Sequence, residues 1–123
     1  MSGVTTYNLL PTTTFGDPLG NYDGSSQDWY SDVGKAANYY QGNGSIQTVT
    51  FGVNDFLGLV TIQGTLDADS TAANWIDLTS YGEPSTMYPV TDRHPVAITG
   101  NFTYLRVFVQ NFDQGDITVT VDY

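Results

Sequence analysis

Cysteine is absent from this chain of 123 residues, so neither a disulfide framework nor a thiolate metal site is available and stability must come from packing or from neighbouring subunits. Basic residues are almost as scarce. Lys35, Arg93 and Arg106 stand against thirteen acids, a formal charge of −10. A field of that sign repels phosphate backbones and anionic lipid alike, which argues against nucleic acid or membrane as partners. Glutamate and histidine occur once each, at Glu83 and His94, and the other acids are all Asp, the chemistry of turns and caps rather than of charged helix faces.

These scarcities bear on catalysis. His94, in "TDRHPV", has no Ser or Cys nucleophile motif near it, and Glu83, in "YGEPST", has nothing around it to raise its pKa for glycoside hydrolysis. No G-x-S-x-G, H-E-x-x-H or P-loop pattern occurs, so the expectation is a protein that is not an enzyme and carries no cofactor. The basic start and apolar run of a signal peptide are missing, as is any run long enough to span a bilayer, and synthesis in a cytoplasm is expected.

What is abundant points to strands. Aromatic content is 14%, with nine Tyr and thirteen Gly among many Thr, a usage that suits pleated, half-buried surfaces and tight turns. "SIQTVTFGV" places Val49, Phe51 and Val53 on one side. "LGLVTIQGTL" does the same for Val60, Ile62 and Leu66, against Leu59, Thr61, Gln63 and Thr65. "NDF" reads as the turn between them, "NWIDLTSYG" as a short strand holding Trp75, and "HPVAITG" as the approach to the next. "FDQGDITVTVDY" reads as the second half of a hairpin turning at Asp113 to Asp116, with Ile117, Val119 and Val121 on its dry side. Without a βαβ alternation, the fold class expected is all-β: an antiparallel two-sheet β-sandwich, jelly-roll-like, over residues 45–123. Residues 1–44 show no sustained period and read as an irregular N-terminal arm or extension of what is overall one domain. Within it "DVGKAANYY" fits either a helix capped by Asp32 or a strand ending in Tyr39 and Tyr40.

The stretch "ITGNFTYLRVFVQNF" has two apolar faces. Leu105, Val107 and Val109 fall on one; Phe102, Tyr104, Phe108 and Phe112 fall on the other, interrupted by Arg106 and Gln110. Exposed, those rings would be an aggregation hazard, so cover from the N-terminal half or from another chain is expected, with Arg106 paired to an Asp. Tyr22, Trp29, Tyr30, Tyr39, Tyr40, Tyr104 and Phe108 are candidates for a protein interface or a sugar-stacking platform, the latter built on Trp29. "LDADSTAANWID" sets Asp67, Asp69 and Asp77 close enough for a calcium candidate, although the Gly and Glu of the helix-flanked calcium loop are missing.

In "FLGLVTIQGTLDADSTAANWIDLTSYG" and "VAITGNFTYLRVFVQNFDQGDITVTVDY", the residues Gly58, Ile62, Thr65, Leu66, Trp75, Ile98, Gly100, Asn101, Phe102, Arg106, Val109, Phe112, Gly115 and Ile117 match a pattern. It resembles a module in virion structural proteins of tailed bacteriophages, notably those of marine cyanobacterial hosts. The module often has Asp-Trp-Phe where this chain has Asn74-Trp75-Ile76, and Trp where it has Tyr104. The resemblance implies a virion component assembled in the host cytoplasm, with no catalytic residues. It would be repeated around the particle as a homo-oligomer, decorating it and binding capsid, neck or tail subunits. A carbohydrate-binding or fibre-associated adhesion module is the alternative, with a glycan as partner.

Overall fold

The computed structural model describes residues 6–36, 46–67, 74–82, 90–100 and 102–122. Seven strands form in chain order: β1 (Thr6–Thr14), β2 (Trp29–Tyr30), β3 (Gly34–Lys35), β4 (Ile46–Thr65), β5 (Ile76–Gly82), β6 (Val90–Thr99) and β7 (Tyr104–Asp122). All pair antiparallel.

The organising feature is that β4 and β7, at 20 and 19 residues, are each long enough to run through both layers of a sandwich. The first half of β4 pairs with the end of β7, Thr48 opposite Asp122 through Asn54 opposite Asp116, flanked by β6 beyond β4 and β1 beyond β7. Its second half pairs with the start of β7, Leu59 opposite Gln110 through Thr65 opposite Tyr104, flanked by β5 and by the short β2 and β3. The first layer is therefore β1-β7-β4-β6. The second is β2/β3-β7-β4-β5, and the sheet doubles over where β4 and β7 cross between them. This is the all-β antiparallel sandwich expected.

The core lies between the layers. Val49, Phe51 and Val53 face Val60 and Ile62 along β4, and Leu105, Val107 and Val109 face Ile117, Val119 and Val121 along β7, all at 4% exposure or less. Alternation placed these residues correctly. Leu66 does not follow, being 60% exposed past the end of β4.

Two turns expected from sequence are bends within continuous strands. Asp55, inside "NDF", and Asn111, two residues ahead of the expected turn at Asp113 to Asp116, are both at φ 54° and are the non-glycine residues with positive φ among those described. Gly115, at φ 86°, sits where an added Cβ would collide with the Asn54 and Asp55 carbonyls. The anticipated hairpin between the halves of β7 does not form, because each half bonds to β4. A hairpin pairs neighbours in sequence; here the hydrogen bonds go to a distant strand, from Thr65 opposite Tyr104 to Thr48 opposite Asp122.

The N-terminal stretch is part of the sandwich. β1 is an edge strand, and Leu9, Leu10, Tyr22, Trp29 and Ala36 join the core cluster, so residues 6–36 are not an arm. Asp23 shapes the intervening loop by accepting hydrogen bonds from the Ser25 and Ser26 amides at 2.9 and 2.7 Å, which hold its carboxyl at about 2. Of the helix-or-strand alternatives after Asp32, the described part is strand: Gly34 and Lys35 pair with Leu105 and Tyr104. Tyr39 and Tyr40 lie outside the described residues.

Candidate functional site

The row of four rings divides. Beyond the positive φ of Asn111, Phe112 turns inward and is fully buried, with Tyr22, Trp29 and Phe56 at ring-centroid distances of 5.2, 5.9 and 5.8 Å. Phe102 packs against the core. Tyr104, Arg106 and Phe108 remain on the outer face of the second layer, half-buried.

The chain itself covers part of that face. β2 brings Tyr30 opposite Phe108, and the two rings stack at 4.4 Å with 14° between planes. The Arg106 guanidinium lies 4.2 Å from the centroid of Tyr30 and 4.4 Å from that of Trp75, which precedes β5. Phe108, Tyr30, Arg106 and Trp75 thus form one contiguous row of flat groups, with the cation between or beside two rings whose quadrupoles attract it.

Polar groups lock the row to the sheet. Opposite Arg106 sits Gln63, and opposite Gln63 sits Asp77. Arg106 Nε donates to Gln63 Oε1 at 2.7 Å, and Gln63 Nε2 donates to Asp77 Oδ1 at 2.8 Å. The expected Arg–Asp pair is therefore relayed through an amide, since the register places Gln63 between the charges. Burial pulls the guanidinium pKa down, the phenol of Tyr30 partly opposing it; an arginine still keeps its charge. Asp67 secures the approach to Trp75 by accepting the Asn74 amide at 2.7 Å and the Thr65 hydroxyl at 3.3 Å.

Other candidates from sequence sit elsewhere. Trp29 and Tyr22, at 6% and 1% exposure, are core residues whose tilted rings meet at 5.0 Å, so Trp29 cannot serve as an exposed sugar platform. Strand alternation explains it: Trp29 and Tyr30 are adjacent, so one must face in. Asp67 and Asp77 spend their carboxylates on separate protein donors, and Asp69 lies outside the described residues. Among the described residues no group of three His, Cys, Asp or Glu comes together to hold a metal. Glu83 also lies outside them. His94 stacks on Tyr81 at 4.8 Å, and the Tyr81 hydroxyl donates to Asp92 at 2.7 Å. Burial, with help from Asp92, pushes Tyr81 up to about 12, while the Tyr81 hydroxyl and the Arg93 amide hold Asp92 low.

Gln63, Trp75 and Arg106 were missing from the expected site residues, Arg106 having been read only as a buried charge in need of an Asp. A long polar side chain inside the apolar run "LGLVTIQGTL" was the available signal for the first.

Comparison with protein-family models and with curated proteins finds no match. Among solved structures, a family 29 carbohydrate-binding module from Piromyces equi aligns over 98% of this chain and 91% of its own, at 17% identity and a TM-score of 0.41. That score is too low for the likeness to bear on this chain, whose fold rests on the strand pairing above.

Proposed function

We propose that this chain is a non-catalytic adhesion module that binds glycan on the outer face of its second layer. The observation that carries the reading is the row of Tyr30, Phe108, Arg106 and Trp75 backed by the Arg106–Gln63–Asp77 chain. A pyranose has an apolar C–H face that packs on rings and hydroxyls that pair with a guanidinium, an amide or a carboxylate, and this face offers both on a rigid sheet. Placement on a tailed-phage particle, in repeated copies, is what the sequence resemblance adds. The second reading, a decoration protein whose ring face is covered by a neighbouring virion subunit, draws on the same resemblance and on the 42% exposure of Tyr30.

A glycan array followed by calorimetry on bacterial surface polysaccharides tests the first reading. Binding is expected, with loss in Trp75→Ala and Arg106→Ala and retention in His94→Ala. If no glycan binds while the chain is found in purified particles with Tyr30 and Trp75 protected by a neighbour, the decoration reading replaces it. Absence from particles together with no glycan binding removes both.

A further inference from the structure

Trp29 poses a separate problem. Its ring is buried, and among the described residues its indole Nε1 is the buried side-chain atom left without a hydrogen-bond partner. Buried indole N–H groups normally find an acceptor. The same ring lines a recess of about 100 Å³ at the edge of the sandwich, walled by Leu9, Leu10, Pro11 and Leu19, with Ser31 and Asp32 alongside. On this measure one water needs about 10–15 Å³, so the recess has room for a group larger than a single water.

Several polar side-chain atoms of the wall are already committed. The Ser31 hydroxyl donates to the Asp32 carbonyl at 2.9 Å and accepts from the Val107 amide at 2.8 Å. Thr13 donates to the Pro11 carbonyl at 2.9 Å, and Asn21 to Asp32 Oδ1 at 3.0 Å. What remains buried is one neutral donor on a ring that lines the leucine and proline wall, with exposed Asn21 and Asp32 keeping an amide oxygen and a second carboxylate oxygen at the side.

We propose that this recess binds an acetamido group, such as the N-acetyl substituent of an amino sugar. The carbonyl oxygen accepts the Trp29 Nε1–H, the methyl packs on Leu9, Leu10 and Leu19, and the acetamido N–H turns to Asp32. A bare sugar hydroxyl fits worse, since it exchanges water for an apolar wall without the methyl contact. An anion finds no free cation there. This site lies on the inner side of β2, opposite the face that carries Tyr30, and does not depend on the ring row.

The test is a titration of the ¹⁵N-labelled full chain, following both indole N–H resonances, with Trp75→Phe assigning them. N-acetylglucosamine and acetamide are expected to shift the Trp29 resonance saturably, and glucose to leave it in place. Leu19→Arg, altering an exposed rim residue outside the core, should weaken the response about five- to tenfold while the rest of the spectrum is kept. Trp29→Phe should abolish chemical-shift changes at the neighbouring backbone amides; if that variant does not fold, Leu19→Arg decides. A Trp29 resonance unmoved by both acetamido compounds, or moved equally by glucose, overturns the proposal. The ring-face reading stands or falls on Trp75 and Arg106 instead.

Discussion

The two outer faces of this sandwich are made by the same two strands and have opposite characters. On the first layer, β4 presents Thr48, Thr50, Gly52 and Asn54, and β7 presents Asp116, Thr118, Thr120 and Asp122, short polar side chains that bond across the sheet. Thr12 meets Thr118 at 2.7 Å and Thr120 meets Asn8 at 3.3 Å. A shallow groove of about 310 Å³ runs over Gly52, between Thr50 and Thr118. On the second layer, the same strands present Thr61, Gln63 and Thr65, and Tyr104, Arg106 and Phe108. One face is left to solvent; the other is so densely covered that Gln63 is only 9% exposed. A strand that crosses between layers can therefore carry a solvated segment and a ring-covered segment a few residues apart, and the bend keeps them on opposite sides of one core.

Two glycines of β4 give the sharpest test of that contrast. A Cβ on Gly64, on the inner side of the second layer, would come within 2.7 Å of Leu78 Cδ1 and 3.0 Å of Phe102 Cδ1. Gly64→Val is expected to cost about 2–3 kcal/mol by overpacking, read as a lowered denaturation midpoint; an unchanged midpoint would mean the second layer is looser than its packing indicates.

The two arginines come next, one per face. Arg106→Ala removes two cation–π contacts and the hydrogen bond to Gln63, an expected loss of about 1–2 kcal/mol. Arg93, on the first layer, makes no side-chain contact of that kind among the described residues, and Arg93→Ala should stay within about 0.5 kcal/mol of the parent. Equal losses in urea unfolding would erase the distinction between the faces.

A smaller effect is expected where the layers meet, at Tyr81 of β5 and Asp92 of β6. The folded state favours the protonated phenol, whose pKa is raised from 10.0 to about 12, so its contribution is fully present below pH 10 and lost as pH rises through 12. Asp92 is shifted the other way, so its contribution is present above its ordinary 3.8 and lost as pH falls below that. Spectrophotometric titration should show Tyr81 ionising near 12 and only partly lowered in Asp92→Asn, since burial is the larger cause and stays in place.

The smallest effect belongs to Gly52. An added Cβ meets nothing nearer than the Thr118 carbonyl at 3.7 Å, in an ordinary strand conformation. Gly52→Val should therefore fall within about 0.5 kcal/mol of neutral, with strand propensity in its favour, and a thermal melt beside that of Gly64→Val compares the two sites directly.

Much of the core was legible because a strand sends alternate residues to opposite sides regardless of what it pairs with. Val49, Phe51, Val53, Leu105, Val107, Val109, Ile117, Val119 and Val121 were all placed in this way. Turn chemistry was read at "NDF" and at Asp113 to Asp116, close to the bends at Asp55 and Asn111, yet whether such residues close a hairpin or fold one long strand over depends on hydrogen bonds to a distant partner. The candidate site was legible only in part for the same reason. Tyr104 and Phe108 were marked as rings in need of cover and Tyr30 as an interface or platform candidate, but nothing local joins Arg106 to Gln63 or Trp75, 43 and 31 residues away in "LGLVTIQGTL" and "NWIDLTSYG".

By itself, then, the sequence determined an all-β chain, without cysteine, strongly acidic, and alternating so regularly that its buried faces were set. Those properties are local or compositional. Tertiary structure alone decided that β4 and β7 each serve two layers, that Trp29 goes inside while Tyr30 stays out, and that a cation is seated against two rings. Each of these depends on pairing register between distant segments, and register is fixed only when the whole sheet closes around its core.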